Sequence, residues 1–139
     1  MKVYVLDTSV VIKWYNRKAE KHVNQALSIL NDLKENKINI VIPSLLIVEL
    51  VNVFIKGKQL KASVIQDLTT SFFSLPLIMK EPTSELISQI PAISHQYKLT
   101  AYDSLYIAQA RNENCQLISD DAQGHGKVTD GTVLMLKDY

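Results

Sequence analysis

The sequence contains little cysteine, glycine or proline, and each shortage excludes a kind of protein. The single cysteine, Cys115, excludes an internal disulfide and a thiolate metal cluster, which is typical of a reducing compartment. Four glycines and four prolines leave little room for flexible linkers, so we expect residues 1–139 to form one domain. The apolar run before Asp7 is too short for a signal peptide or a membrane span, so we expect a cytoplasmic protein.

The charge is also small, with a formal net value of +1 at pH 7. Residues 1–80 carry eleven Lys and Arg against six Asp and Glu, whereas residues 81–139 carry four against eight. The chain therefore lacks the strong basic footprint of many nucleic-acid-binding proteins. Basic clusters at residues 13–21 and 56–61 are only weak signals on their own.

Short apolar runs alternate with amphipathic segments along the chain. The apolar runs predict strands at residues 3–6, 38–42, 75–79, 116–119 and 132–136. Helical periodicity predicts helices at residues 19–35, 45–55, 61–73, 83–97 and 99–112, with a kink or break at Pro91. This alternation predicts a three-layer α/β/α domain with a mostly parallel central sheet.

Acidic residues stand at the ends of predicted buried elements. Asp7 follows the first strand, and Asp120 and Asp121 follow the fourth. The carboxyl ends of parallel strands share the edge of the sheet where ligands bind in such folds. Glu49 lies in a helix that is apolar on nearly every side, and Asp103 lies in the first turn of another helix.

Each acid also has a simpler explanation. Asp7 could cap the following helix, and Asp103 could complete a capping box with Thr100. Glu49 could share a narrow solvent-facing stripe with Asn52, and the paired acids after the fourth strand could form a turn. Converging carboxylates, however, would raise one another's pKa unless a cation neutralised them. Because no His or Cys accompanies them at ligand spacing, we expect Mg²⁺ or Mn²⁺ rather than Zn²⁺.

Four motifs occur in a recognisable order over nearly the whole chain. They are Asp7-Thr8-Ser9 after a strand, Pro43-Ser44 with Glu49, Tyr102-Asp103-Ser104 with Ala108, and Leu117-Ile118-Ser119-Asp120-Asp121. Together they resemble the PIN-domain ribonucleases, and most of all their VapC-type toxin branch. The resemblance implies a PIN-like domain that hydrolyses RNA with Mg²⁺ or Mn²⁺ and leaves a 5′-phosphate.

The resemblance assigns roles position by position. It makes Asp7, Glu49, Asp103 and Asp121 the catalytic acids and the metal ligands. Ser119 stands where the family more often has Thr, and Gly124-His125-Gly126 departs from the family's pattern.

Contacts with the RNA substrate are expected at positions near these acids. Lys13 and Arg17, expected one and two turns into the first helix, could hold the RNA backbone. Ser9 and Ser119 are the other two expected substrate-binding residues.

The resemblance also implies partners for a toxin. An antitoxin protein would cover the acidic site, and the family commonly forms homodimers. Val53, Phe54, Phe72 and Phe73 are candidates for an exposed apolar patch, although at least two of them are expected in the core.

Three other functions compete with this interpretation. A haloacid-dehalogenase-like phosphatase needs a second Asp two residues after Asp7, where this chain has Ser9. A receiver domain needs an acidic pair after its first strand, where this chain has Thr8-Ser9. A PIN-like module that binds protein or RNA without cleaving it remains open.

Overall fold

Five parallel strands form the centre of the molecule, and the computed structural model describes all of residues 1–139. The strands are β1 (Lys2–Leu6), β2 (Ile38–Pro43), β3 (Ile78–Lys80), β4 (Gln116–Ser119) and β5 (Val133–Met135). Their order is β3-β2-β1-β4-β5, and every neighbouring pair is parallel. The central position of β1 places Asp7 at the middle of the carboxyl edge of the sheet.

Six α-helices connect or follow the strands. They are α1 (Thr8–Val11), α2 (Val23–Lys34), α3 (Leu45–Asn52), α4 (Ala62–Phe73), α5 (Ser84–Tyr97) and α6 (Ala101–Asn112). The predicted three-layer α/β/α fold is confirmed, and the sheet is wholly parallel rather than mostly parallel. None of these helices combines the length and the apolar composition that a membrane span requires.

Two elements begin three or four residues later than predicted, each for a local reason. Helix α2 begins at Val23 rather than at Ala19, because Ala19 and His22 adopt left-handed backbone conformations that a helix cannot contain. Strand β3 begins at Ile78 rather than at Leu75, because the N–H of Leu77 bonds to the carbonyl of Leu75 in a turn around Pro76.

Of the kink or break predicted at Pro91, the break does not occur, since α5 is one helix with Pro91 inside it. Proline removes one N–H donor from the helix, but buried Leu86 and Ile93 anchor α5 on either side of it. The hydroxyl of Thr83 caps the helix by accepting the N–H of Leu86 at 3.1 Å.

The core contains 31 buried apolar side chains in one cluster. Phe54 and Phe72, two of the four residues considered for an exposed patch, are buried in this core. Val53 is half-buried, and Phe73 is 60% exposed. The last three residues of β1 are all buried, so the core fixes the strand that carries Asp7.

Candidate active site

The four predicted acids line one cleft at the carboxyl edge of the sheet. This cleft, of about 200 Å³, is the acidic cleft, and its lining residues are Asp7, Thr8, Ser9, Glu49, Asp103, Tyr106, Asp121 and His125. The ends of β1 and β4 contribute Asp7 and Asp121, while helices α3 and α6 contribute Glu49 and Asp103. Four segments that are distant in the sequence therefore present carboxylates to the same space.

Asp7 is the most enclosed of these acids, with only 4% of its surface exposed. Its Oδ1 accepts a hydrogen bond from the hydroxyl of Ser9 at 2.6 Å, and its Oδ2 accepts one from Ser119 at 2.6 Å. The Nδ1 of His125 lies 2.8 Å from the same Oδ2. The Asp7 side chain makes no capping bond to α1, so it is held as a fixed carboxylate rather than as a helix cap.

The two serines connect the end of β1 to the end of β4. The Oγ of Ser9 accepts the backbone N–H of Asp120 at 2.9 Å, and the Oγ of Ser119 accepts that of Asp121 at 3.1 Å. Ser119 is completely buried, so the RNA contact predicted for it has no accessible surface. Both serines hold the Asp7 carboxylate by hydrogen bonds, and Ser9 also lines the cleft.

Glu49 is half-buried, and its Oε1 accepts hydrogen bonds from the hydroxyls of Thr8 and Tyr106. Burial raises the pKa of the Glu49 carboxyl, and the charges of Asp103 and Asp7 add to the increase. The two hydroxyls lower this pKa, but not by enough to cancel the effect of burial. The side chain thus faces the cleft, not the solvent-facing stripe considered from the sequence.

Asp103 has both of the roles that its sequence allows. Its backbone N–H donates to the hydroxyl of Thr100 at 3.1 Å and caps α6, while its carboxylate lines the cleft. Burial raises the pKa of the Asp103 carboxyl, the charges of Asp121 and Asp7 add to it, and His125 opposes it. Helix capping and a place in the cleft are therefore compatible.

Asp121 is held by a glycine that leaves room for its carboxylate. Its Oδ1 accepts the backbone N–H of Gly124 at 2.9 Å. A Cβ atom at position 124 would lie only 2.2 Å from the Oδ2 of Asp121. The close approach of this carboxylate thus explains why position 124 is glycine.

His125 is a residue of the site that the sequence analysis did not identify. It is 1% exposed, and its ring packs edge-to-face on Tyr106. Burial lowers the pKa of its imidazole, but the hydrogen bonds and charges of Asp7 and Asp103 together outweigh burial and raise it to about 8. The departure of residues 124–126 from the family's pattern was the one signal in the sequence.

Asp120 and Lys13 belong to a separate network of ion pairs, the lysine network, formed by Lys13, Glu20, His22, Lys58 and Asp120. Lys13 is 3% exposed, and its Nζ lies 2.8 Å from Glu20 and 2.9 Å from Asp120. The other oxygen of Asp120 is 2.8 Å from the Nδ1 of His22, and Glu20 also binds Lys58 at 2.6 Å. Lys13 is thus not available to an RNA backbone, contrary to the prediction, whereas Arg17 is exposed in the following loop.

Side-chain atoms that could hold a divalent cation lie close together in the acidic cleft. Oxygens of Asp103 and Asp121 and a ring nitrogen of His125 lie within 4.8 Å of one another. Carboxylates are the ligands that Mg²⁺ and Mn²⁺ prefer in proteins. Glu49 and Asp7 complete the acidic lining of the same space.

Comparisons with known proteins identify a family and several similar folds. The family model described as the PIN domain matches residues 4–129. A toxin–antitoxin complex from Klebsiella pneumoniae has a TM-score of 0.69 and 15% identity, covering 98% of this chain and 99% of that chain. VapBC2 from Rickettsia felis, bound to a DNA fragment from its promoter, has a TM-score of 0.70 and 19% identity over 96% and 98%.

A third similar structure is VapC20 from Mycobacterium tuberculosis, a toxin that cleaves the sarcin–ricin loop. Its TM-score is 0.65 at 12% identity, covering 92% of this chain and 90% of that chain. No curated protein matches the sequence. At these identities the solved structures support the fold.

We expect Gly124→Ala to weaken Mn²⁺ binding, because the added methyl group would displace the Asp121 carboxylate. Loss of such positioning typically costs roughly 10- to 100-fold in metal affinity. Gly126→Ala is the matched control, since its Cβ would meet its nearest atom at an ordinary 3.6 Å. Isothermal titration with Mn²⁺ measures both variants, and equal affinities would contradict the role of Gly124.

The metal-free protein should lose stability as the pH rises from about 6.5 to about 8. The pKa of His125 rises from 6.5 to about 8 on folding, so the folded state holds an additional proton in this window. The effect is at most about 2 kcal/mol. The raised pKa values of Glu49 and Asp103 act in the same direction at lower pH, because their folded forms also bind protons more tightly.

Urea unfolding in EDTA at pH 6 and pH 8.5 measures this dependence. His125→Asn lacks the titrating ring and should show a smaller loss of stability between the two pH values. A wild-type protein whose stability increases over this interval would contradict the predicted sign.

Proposed function

This chain belongs to the PIN domain family, and from that premise we propose that it is a divalent-metal-dependent endoribonuclease, the toxin of a toxin–antitoxin pair. The observation that carries the proposal is the convergence of four carboxylates from four distant segments in one cleft. Their placement at the carboxyl edge of a parallel sheet is where such folds bind ligands.

The residues that line the cleft are better suited to binding Mg²⁺ or Mn²⁺ than to a purely structural role. Burial and like charges raise the pKa of Glu49 and of Asp103, so the cleft is short of positive charge. Asp121 sits against a glycine that leaves its carboxylate room to face the cleft. A bound divalent ion would supply charge for a phosphate oxygen and acidify a water molecule for attack on phosphorus.

The chain itself supplies the positions of the reacting groups. Three hydrogen-bonding partners fix the Asp7 carboxylate, and Tyr106 and Thr8 fix that of Glu49. Such preorganisation keeps charged groups in place without reorganisation during the reaction.

An RNA substrate is supported by three observations. Arg17, Lys18 and Lys21 are exposed on the loop between the first helical turn and α2, where they could contact an RNA backbone. The similar VapC20 is a toxin that cleaves the sarcin–ricin loop. The fourfold acidic set resembles that of the ribonucleases of the family, so we also propose a 5′-phosphate product.

We expect Asp103→Asn and Asp7→Asn each to reduce cleavage of a labelled RNA to the background of an EDTA control. The two variants should differ in stability. Asp103→Asn removes a carboxylate whose pKa is raised, so the metal-free fold should keep or gain stability. Asp7→Asn leaves one acceptor oxygen for three hydrogen-bonding neighbours, two of them buried, and should cost about 1–3 kcal/mol.

Asp67→Asn, on the exposed side of α4, is the control and should cleave like the wild type. Cleavage by highly purified Asp103→Asn at the wild-type rate would contradict the assignment. A wild-type protein that binds Mn²⁺ and RNA without cleavage would instead favour the PIN-like binding module.

We also propose an antitoxin partner and a homodimer. Similar structures include toxin–antitoxin complexes, which support the first. Exposed apolar side chains on the α3–α4 region give an antitoxin a surface to cover: Ile55, Val64 and Phe73. A separate apolar hollow of about 360 Å³ could bind a second copy, and it is lined mainly by Leu45, Pro82, Ile87, Ile90, Tyr102 and Leu105.

Sedimentation velocity should show a dimer for the isolated chain, and Ile87→Glu should shift it toward the monomer. Ile87 lines the hollow and is 47% exposed, so a carboxylate there would be buried on dimerisation. Val64→Glu introduces the same charge on α4 and should leave the dimer intact. A wild-type chain that remains monomeric at all concentrations would contradict the homodimer.

A further inference from the structure

His125 contacts three parts of the acidic cleft at once. Its Nδ1 lies 2.8 Å from the Oδ2 of Asp7 and 2.9 Å from the Oγ of Ser119. Its Nε2 lies 3.0 Å from the backbone carbonyl oxygen of Asp103. One ring therefore connects the ends of β1 and β4 to the first turn of α6.

Two roles are open to a histidine at this position. It could ligate the metal together with Asp103 and Asp121, since the relevant atoms lie within 4.8 Å of one another. It could instead hold the acids in place by hydrogen bonds, outside the coordination sphere. Ligation requires a ring nitrogen that carries no proton and directs its lone pair at the ion.

Both ring nitrogens of His125 already lie within hydrogen-bond distance of oxygen atoms of the protein. The carbonyl oxygen of Asp103 can only accept a hydrogen bond, so the Nε2 of His125 carries the donated hydrogen. The Nδ1 points at a carboxylate oxygen of Asp7, which is also an acceptor. Both nitrogens are therefore committed to protein oxygens.

We propose that His125 is a positioning residue that fixes Asp7 and Asp103 for the metal and does not ligate it. The inference rests on the proposed function, because it concerns the same site. Edge-to-face packing on Tyr106, with ring centroids 5.8 Å apart, fixes the plane of the imidazole. Tyr106 in turn holds Glu49, so the ring also lies next to the anchor of a third acid.

The bonds of Asp7 show which of its oxygens remains available. Its Oδ2 contacts both Ser119 and His125, which uses the two acceptor directions of that atom. Its Oδ1 accepts only the Ser9 hydroxyl. His125 therefore orients Asp7 so that it offers one oxygen, Oδ1, to a cation.

Mn²⁺ bound to the full chain tests this assignment by spectroscopy. We expect electron spin-echo modulation of the wild-type complex to show no coupling from a directly bonded imidazole nitrogen. The spectrum of His125→Ala should show the same absence. Strong nitrogen coupling in the wild type that disappears in His125→Ala would overturn the inference and leave the metal-dependent function standing.

Affinity measurements with two variants complete the test. His125→Ala should weaken Mn²⁺ binding roughly 10- to 100-fold, as is usual when a partner of a ligand is lost. His125→Asn places an amide N–H near the former Nδ1 and should recover most of the affinity through Asp7. Equal losses in both variants would overturn the positioning role, and a wild type that binds no Mn²⁺ would overturn the proposed function as well.

Discussion

The burial of the Asp7 carboxylate is the constraint on which the site depends. A carboxylate that is 4% exposed is costly unless hydrogen bonds replace its lost water. Ser9, Ser119 and His125 provide that replacement, and they come from α1, β4 and the turn beyond it. The hydrogen bonds to Asp7 thus join the first and last thirds of the chain. They fix the walls of the cleft.

The positions of the lysine side chains explain why the cleft remains acidic. The buried ammonium of Lys13 lies between Glu20 and Asp120, and Lys58 also binds Glu20. Those contacts lower the pKa of Glu20 despite its burial, whereas the pKa values of Glu49 and Asp103 are raised. The lysine network thus neutralises its own acids beside the cleft. The carboxylates of the cleft lack such lysine partners, so their repulsion costs stability until a ligand neutralises it.

The sequence predicted the layers and the sheet because these follow from local pattern, and only the resemblance to the PIN-domain ribonucleases chose Asp121 over Asp120 as the fourth acid. Buried strands appear as apolar runs, and Glu49 was conspicuous because it interrupts an apolar helix. Pattern could not predict contacts between distant segments. Lys13 looked like a solvated helix end because its partners Glu20 and Asp120 are brought to it only by the fold, and His125 looked isolated for the same reason.

The adjacent residues Asp120 and Asp121 show how local geometry separates two acids that the sequence cannot distinguish by composition. Both follow β4, and their N–H groups bond to different serines, Ser9 and Ser119. Asp120 then extends to Lys13 and His22 outside the cleft, whereas Asp121 extends into it. Only Asp121 is followed by a glycine three positions later. Because Gly124 has no Cβ, the carboxylate of Asp121 has room to remain in the cleft. Which acid of the pair lines the cleft is therefore determined by a glycine as much as by the aspartate.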